Sequence, residues 1–219
     1  PVRDWKMDRD EEIAYAKKYN IEVPVTKASP YSVDDNMWGM TWEGGEIEDP
    51  KLIPPINKIQ KACRLIEKTP NKPEFVKLVF KKGIPVSLNG KIMSLAKIIT
   101  SLNIIAGRHG VGVVYHIEDR LVGLKNRGIY EHPAGHVIIE AHRNLEKYVC
   151  TRMENEVKGI LDIKWGYFCY GAIWYDPVMA DINAFNNKLN KKVNGEVTLR
   201  LFKGNTNVVS INSPYGLHH

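Results

Sequence analysis

The sequence predicts an α+β fold with a mostly antiparallel sheet and flanking helices. Two pairs of alternating apolar segments are joined by tight turns, at 75–91 and at 196–211. Between them, segments 95–106, 136–148 and 177–189 repeat apolar residues at helical spacing. Hairpin connections of this kind join antiparallel strands, whereas parallel strands need long crossovers.

Length and composition are those of an ordinary globular protein. The 219 residues are 43% hydrophobic and 26% charged, enough for a real core in one large domain or two small ones. No apolar run approaches the roughly 18 residues of a membrane helix, so no membrane segment is predicted. The net charge is +6, but the lysines are spread along the chain without a recognition motif. Nucleic acid is therefore not an expected partner.

The cysteines and the N-terminus favour a cytoplasmic location. Cys63, Cys150 and Cys169 are odd in number and lack a CxxC pair, which is typical of reduced thiols. The first residues lack the basic head and apolar middle of a secretory signal. The terminal pair, 218–219, is interpreted as the remnant of a purification tag.

The N-terminal segments predict a helix followed by a strand. Residues 8–19 begin with acids and end with lysines, which complements a helix dipole. Residues 21–25 resemble a brief edge strand because Pro24 interrupts them. Helix then strand is the closing unit of an α/β domain, so we expect the chain to begin within such a domain.

A long irregular segment, 26–57, is expected to be functional or mobile. Its polar part, 31–43, has enough hydroxyls and carboxylates to hold a zwitterion. Capping of a short helix by Ser32 or Asp34 is the alternative. The polar side chains are Ser32, Asp34, Asp35, Asn36, Thr41 and Glu43.

The central segments predict two strands, a helix and a third strand. FVKLVF (75–80) alternates strictly, and PVSLNGK (85–91) carries an Asn-Gly turn. The helix at 95–106 is followed by Gly107, which is predicted to cap it. In VGVVYHIEDRLVGL (111–124), alternate residues are predicted to face opposite sides, with Val114, His116 and Glu118 on one of them.

Residues 123–135, GLKNRGIYEHPAG, are interpreted as a binding loop between a strand and a helix. Glycines allow close approach, and amides at a helix start favour an anionic group such as a carboxylate. The alternative is a solvated turn in which Lys125 and Arg127 pair with nearby carboxylates. The sequence leaves these two interpretations open.

The remaining segments predict three helices and a hairpin. Helices are expected from His136 and over 154–165, and the aromatic run at 165–176 is interpreted as core rather than as a platform for a base. Asp176 before Pro177 is a favoured helix start. The turn at 203–205 joins the last two strands.

Two motifs are not predicted to be sites, and a covalent mechanism is not predicted either. GRHGVG (107–112) has the wrong glycine spacing for a nucleotide fingerprint and follows a helix. His132 and His136 lack a third metal ligand nearby. No nucleophile lies beside a base, so covalent catalysis has no support.

Four sequence blocks, in the same order along the chain, resemble the C-terminal half of the proteins of the argininosuccinate synthase family. They are PVTKASPYSVDDNMWGMTWEGGEIEDP (24–50), RHGVGVVYHIEDRLVGLKNRGIYEHPAG (108–135), the aromatic-Asp-Pro at 174–177 and VNGEVTLRLFKGN (193–205). The resemblance is collinear over essentially the whole chain.

The resemblance implies an ATP-dependent ligase of arginine biosynthesis and the urea cycle. Such an enzyme joins citrulline and aspartate through a citrullyl-adenylate and releases pyrophosphate and AMP. ATP and Mg²⁺ would be its cofactors in the full-length chain, with none expected on this segment. A cytoplasmic homotetramer is also implied.

By motif, the resemblance assigns citrulline-binding roles to four residues. Ser32 and Thr41 match hydroxyl positions, and Glu118 and Tyr130 match the acid and the phenol. Arg127 and Glu131 are predicted to brace the loop, with plain salt bridges as the alternative.

The family's pattern also divides the chain. Residues 1–28 are expected to be the tail of a nucleotide-binding α/β domain, and 29–217 a synthetase and multimerisation domain. No SGGxD pyrophosphate loop occurs, so the segment is expected to be inactive alone. The alternative is an oligomerisation module without ligand binding.

Overall fold

The computed structural model describes residues 2–22 and 30–218. The predicted α+β class is confirmed: helices flank two antiparallel sheets. The helices are α1 Val2–Trp5, α2 Arg9–Lys18, α3 Ile56–Ile59, α4 Leu95–Arg108, α5 Pro133–Val149, α6 Arg152–Tyr170 and α7 Pro177–Asn190, with 3₁₀ turns at Gly45–Ile47 and Ile66–Lys68. The strands are β1 Ser32–Asp35, β2 Met40–Glu43, β3 Glu74–Lys81, β4 Ile84–Leu88, β5 Lys91–Ile92, β6 Val113–Asp119, β7 Lys125–Glu131, β8 Gly195–Phe202 and β9 Asn205–Asn212.

The N-terminal helix forms as predicted. Asp8 and Glu11 make a reciprocal capping box at the start of α2, which satisfies two amides that the helix itself leaves free. Most of the strand predicted at 21–25 and the domain boundary predicted at 28 fall on 23–29, outside the described residues. Within the described ranges, no helix is long and apolar enough to cross a bilayer.

The larger sheet has the strand order β5-β4-β3-β8-β9 and contains both predicted hairpins. Val76, Leu78 and Phe80 of β3 are buried, and the residues between them face outward, which confirms the alternation. Positive φ angles at Lys82 and Gly83 allow the tight turn into β4. The turn predicted at 203–205 is confirmed by positive φ angles at its first two residues.

Helices α4 and α5 cover the inner face of this sheet and form the main core with it. The predicted glycine cap of α4 is wrong. Gly107 lies inside the helix, and the left-handed residue is Gly110, with φ 71°. Gly107 is needed for close packing instead, because a Cβ there would lie 2.2 Å from the Ala62 carbonyl oxygen.

The smaller sheet has the order β1-β2-β7-β6, and two sequence interpretations fail in it. Residues 125–131 form a strand rather than a loop, paired with β6 along its whole length and with β2 over its last three residues. Segment 31–43 is a β-hairpin, so the helix cap considered for Ser32 or Asp34 is wrong. Both segments lack a regular apolar pattern, because β1 is exposed along its whole length and the buried positions of β7 include Arg127 and Glu131.

One face of the smaller sheet packs on its own small core. Trp42 and Ile129 are buried there against Ile47 and Ile59, which come from the segment after β2. The opposite face carries the polar side chains described below. The division is the in–out alternation expected of a two-sided antiparallel sheet.

Helices α6 and α7 complete the molecule. Thr151 and Glu154 form a capping box at the start of α6, and the Asp176 carboxylate accepts from the Val178 amide at the start of α7, as predicted. Helix α6 is longer than predicted and includes half of the aromatic run. The prediction that this run is core is wrong, since most of its large side chains are exposed.

Candidate amino-acid site

Strand register brings the four predicted site residues onto one face of the smaller sheet. Thr41 on β2 lies directly opposite Tyr130 on β7. Ser32 on β1 pairs with Glu43, two residues beyond Thr41. Glu118 on β6 pairs with β7 four residues before Tyr130. Paired residues point to the same side and side chains alternate along a strand, so all four project from one face, which we call the site face.

The ring of Tyr130 lies along the site face over Gly128. A Cβ on Gly128 would meet ring atoms and the hydroxyl of Tyr130 at 3.0–3.3 Å. On the other side, His116 meets the same ring edge-on, with centroids 6.2 Å apart. The missing side chain at Gly128 therefore lets the phenol extend toward Glu118.

Two hollows meet at Tyr130. The first, of about 420 Å³, is lined by Tyr130 and Glu118 together with side chains of β6 and helix α6. The second, of about 180 Å³, is lined by Tyr130, Thr41 and His132 with the tip of the β1–β2 hairpin. Ser32 lies on the exposed edge strand and lines neither hollow.

The site face is acidic, and one of its carboxylates, Glu43, stands out in the sequence only as one polar residue of segment 31–43. Burial raises the pKa of Glu43, and the charges of Glu118 and Asp34 raise it further, while Arg120, 3.7 Å away, opposes them. Carboxylates that raise one another's pKa favour a bound cation. Sequence spacing could have indicated this residue, because Glu43 follows Thr41 by two positions and residues two apart on a strand project from the same face.

Arg127 projects to the opposite face and braces the segment after β2. Its buried guanidinium donates to the carbonyls of Ile47 at 2.5 Å, Asp49 at 2.7 Å and Leu52 at 3.0 Å, and also to those of Glu46 and Pro50. The salt-bridge alternative is therefore wrong for this residue. Lys125, by contrast, does pair with Asp119.

Glu131 also acts as a brace. Its fully buried carboxylate accepts from the Trp42 indole at 2.8 Å and from the backbone amides of Lys61 at 2.9 Å and Cys63 at 2.6 Å. Burial and this carboxylate raise the pKa of the Cys63 thiol far above its usual value. Cys63 is therefore an inert thiol.

The glycines at 107–112 do not form a phosphate cradle. A Cβ at Gly110 would lie 2.9 Å from the Arg64 carbonyl oxygen, and one at Gly112 would lie 2.7 Å from the backbone of Pro133. These glycines allow the chain to pack against itself. Their role is therefore explained by packing, and nothing in their arrangement indicates a phosphate loop.

The two predicted non-ligand histidines lie near each other without forming a metal cluster. The rings of His132 and His136 are 6.0 Å apart, and burial, followed by the charge of His136, lowers the pKa of His132. Across the part of the chain that the structure describes, no three His, Cys, Asp or Glu side chains are placed to hold a metal.

A larger cavity of about 560 Å³ lies on the other side of the β1–β2 hairpin. Lys61, Arg64 and Arg108 reach it, together with Asn103 from α4. None of the four predicted site residues lines it. Asn103 already bridges the Met37 carbonyl and the Ala134 amide, so its polar groups are engaged.

Comparison with known proteins decides the family. A family profile described as "Arginosuccinate synthase C-terminal domain" matches residues 31–219. The chain belongs to this family. The matched range contains all four site residues on the site face, together with both sheets.

Relatives of the argininosuccinate synthase family match along the whole chain. The argininosuccinate synthases of Pyrococcus furiosus, Archaeoglobus fulgidus and Bacillus mycoides are 46%, 45% and 43% identical over 218 residues. These residues make up 52%, 56% and 54% of those proteins. The chain thus spans about half the length of the curated relatives it matches.

Proposed function

We propose that this chain supplies the citrulline-binding half of an argininosuccinate synthase. The complete reaction would join citrulline and aspartate with ATP, through a citrullyl-adenylate, and release AMP and pyrophosphate. The observation that carries the proposal is the site face, on which an acid, a phenol and two hydroxyls project together.

The chemistry of the site face suits a zwitterionic amino acid. Glu118, assisted by the nearby Glu43, would hold the α-ammonium group, because an ammonium between carboxylates forms charge-assisted hydrogen bonds. Tyr130 and Thr41 line adjoining hollows and would orient the rest of the molecule with their hydroxyls. Ser32 would contribute from the edge of the face.

ATP and Mg²⁺ are proposed to bind elsewhere in a complete enzyme. The glycines at 107–112 are packed against their own chain, and the described residues hold no cluster suited to a cation. We therefore derive no phosphate step from these side chains. Aspartate is likewise expected to be held mainly by other residues, and a cytoplasmic location stays a prediction.

Calorimetric titration with citrulline tests the proposal. We expect measurable heat with the 219-residue chain and at least about tenfold weaker binding for Glu118→Gln, because a charged partner becomes neutral. Glu67→Gln alters an exposed carboxylate that lines neither hollow, and this variant should bind as the unchanged chain does. Equal affinities for Glu118→Gln and the unchanged chain would remove Glu118 from the site.

Enzyme activity is expected only in a complete synthase. The 219-residue chain incubated with ATP, citrulline and aspartate should yield no argininosuccinate detectable by mass spectrometry. Product that depends on Glu118 would contradict this part of the proposal.

An assembly role is the second candidate, and the surface of α6 favours it. Met153, Val157, Ile160 and Ile163 recur at three- and four-residue spacing and are 42–73% exposed. We call them the α6 stripe. An apolar stripe of this kind on a helix is normally covered, and a second copy of the chain is the proposed cover.

A further inference from the structure

The wall of the larger site hollow that faces Glu118 belongs to helix α6. Gly166, Tyr167 and Tyr170 line it opposite Glu118 and Tyr130. The two tyrosines are 57% and 50% exposed, so their rings have few contacts with the protein itself. A Cβ built on Gly166 would meet no atom within 4 Å, which leaves open space on this side of the hollow.

The two walls differ in chemistry. Three of the four β6 residues on one wall are charged or polar and the fourth is Ile117, whereas the α6 wall offers two aromatic rings and a glycine. A ligand that fills such a hollow has a cationic end and an extended apolar stem. An α-amino acid with several methylene groups in its side chain fits this description.

Contacts on the far side of α6 hold the aromatic wall in place. Lys158 is buried and pairs with Asp162 at 2.5 Å and with Glu146 of α5 at 3.6 Å. Immediately before Gly166, the Trp165 indole donates to the Asn183 side chain of α7 at 3.0 Å. These contacts fix the backbone of α6, and the two exposed tyrosine rings lose rotamer freedom only when they contact a ligand.

We propose that Tyr167 and Tyr170 are specificity-determining residues that pack on the methylene chain of the amino acid held by Glu118. The inference rests on the proposed function and deepens it. Ring-to-methylene contact depends on buried apolar area rather than on the phenol hydroxyl. Affinity should therefore depend on the rings and on the length of the ligand's side chain.

Titration calorimetry on the 219-residue chain tests the aromatic wall. We expect Tyr167→Ala and Tyr170→Ala to weaken citrulline binding about five- to tenfold, and the corresponding Phe variants to stay within about twofold. Tyr175→Ala is the matched control, because Tyr175 belongs to the same aromatic run but is 98% exposed and lies outside the hollow. Each variant is accepted only with an unchanged circular dichroism spectrum.

A filling variant tests the same wall without truncating it. Gly166→Leu adds a side chain where the hollow is empty and should weaken citrulline binding about tenfold, while the better helix propensity preserves the fold. The homologue of citrulline with one more methylene should lose more affinity than citrulline in this variant. An equal loss for both ligands would contradict a role in length selection.

The outcomes separate this inference from the function on which it rests. Absence of citrulline binding by the unchanged chain would overturn both. Binding that falls in Glu118→Gln but is unchanged in Tyr167→Ala, Tyr170→Ala and Gly166→Leu would overturn the aromatic wall alone. Weaker citrulline binding in all four variants, with unchanged binding in Tyr175→Ala, would support a role for both walls in binding the amino acid.

Discussion

Two charged residues on β7, Arg127 and Glu131, are buried without a charged partner for either within the described chain. Hydrogen bonds, mostly to the backbone, compensate the cost of burying both charges. Arg127 donates to backbone carbonyls, and Glu131 accepts from two backbone amides and the Trp42 indole. Charge-assisted bonds to the backbone stabilise ions whose desolvation would otherwise be costly. These contacts hold the segments at 46–52 and 61–63 against the sheet, and thereby fix the back of the site.

Glu131→Gln is expected to lower the free energy of unfolding by about 2–3 kcal/mol. The amide is isosteric, but one of its ends cannot accept from an N–H donor, which leaves a buried group unsatisfied. Urea unfolding with an unchanged m-value measures the loss. Glu196→Gln is the control: Glu196 pairs with Lys77 on a partly exposed surface, and its loss should cost under about 1 kcal/mol. Similar midpoints for the two variants would contradict the argument.

Gly128→Ala is expected to weaken citrulline binding several-fold with little change in stability. The new Cβ would crowd the Tyr130 ring at 3.0–3.3 Å, so the ring must lift from the site face. Gly159→Ala, a helical glycine with open space around it, should leave binding unchanged and stabilise the fold by about 0.5–1 kcal/mol. Calorimetry and urea unfolding together distinguish the two effects. Unchanged binding in Gly128→Ala would show that ring placement is unimportant.

At the scale of elements, periodicity predicts the segments whose burial is apolar. The apolar residues that fill the main core alternate along strands β3 and β8 and recur at helical spacing along α4. These three elements are therefore recognisable in the sequence. Strand β7 was misread because its buried positions include Arg127 and Glu131, whose partners lie 68–89 residues away. Local sequence cannot reveal partners at that distance.

The candidate site was predicted less completely than the fold. Motif resemblance supplied Ser32, Thr41, Glu118 and Tyr130, but their shared face depends on a strand that periodicity did not detect. Glu43 was recognised only as one polar residue of an irregular segment. The α6 wall was missed because aromatic residues are usually core, whereas here they line an open hollow.

The packing of α5, α6 and α7 predicts a pH dependence of stability. Burial lowers the pKa of His142, which packs edge-on against Phe80, 6.0 Å between centroids. The charged groups around it are Glu146 on α5 and Lys158 and Asp162 on α6, with Asn190 facing it from α7. The folded state therefore disfavours the protonated imidazole.

The sign follows from proton linkage. A histidine with a lowered folded pKa binds fewer protons than in the unfolded chain, so stability falls as pH drops below about 6.5, by at most about 1.4 kcal/mol per pH unit. Urea unfolding at pH 7.5, 6.5 and 5.5 should show this slope, and His142→Gln should reduce it. The lowered pKa of His132 adds to the slope in both proteins, so the difference between them measures His142, and the lowered pKa values of Glu74 and Glu154 act only below about 4.5. An equal slope in His142→Gln would contradict a contribution from His142.

At the scale of the whole molecule, helix α6 turns a charged side toward the protein and an apolar side toward solvent, the reverse of the usual orientation. Its inner side buries Lys158 in an ionic network, and its outer side exposes the α6 stripe. An isolated chain would gain by reversing this arrangement, because apolar burial stabilises and ion burial costs free energy. The arrangement is favourable if another apolar surface covers the stripe.

The α6 stripe is expected to drive self-association of the 24.9 kDa chain. Sedimentation velocity at micromolar concentration should give a species heavier than the monomer, and Ile160→Glu combined with Ile163→Glu should return it to the monomer, because two desolvated carboxylates oppose contact. Ile53→Glu is the matched control, since Ile53 is equally apolar and 93% exposed but lies outside the helices. A monomer for the unchanged chain, or equal association of the double variant, would assign the cover of the stripe to a surface other than a second copy.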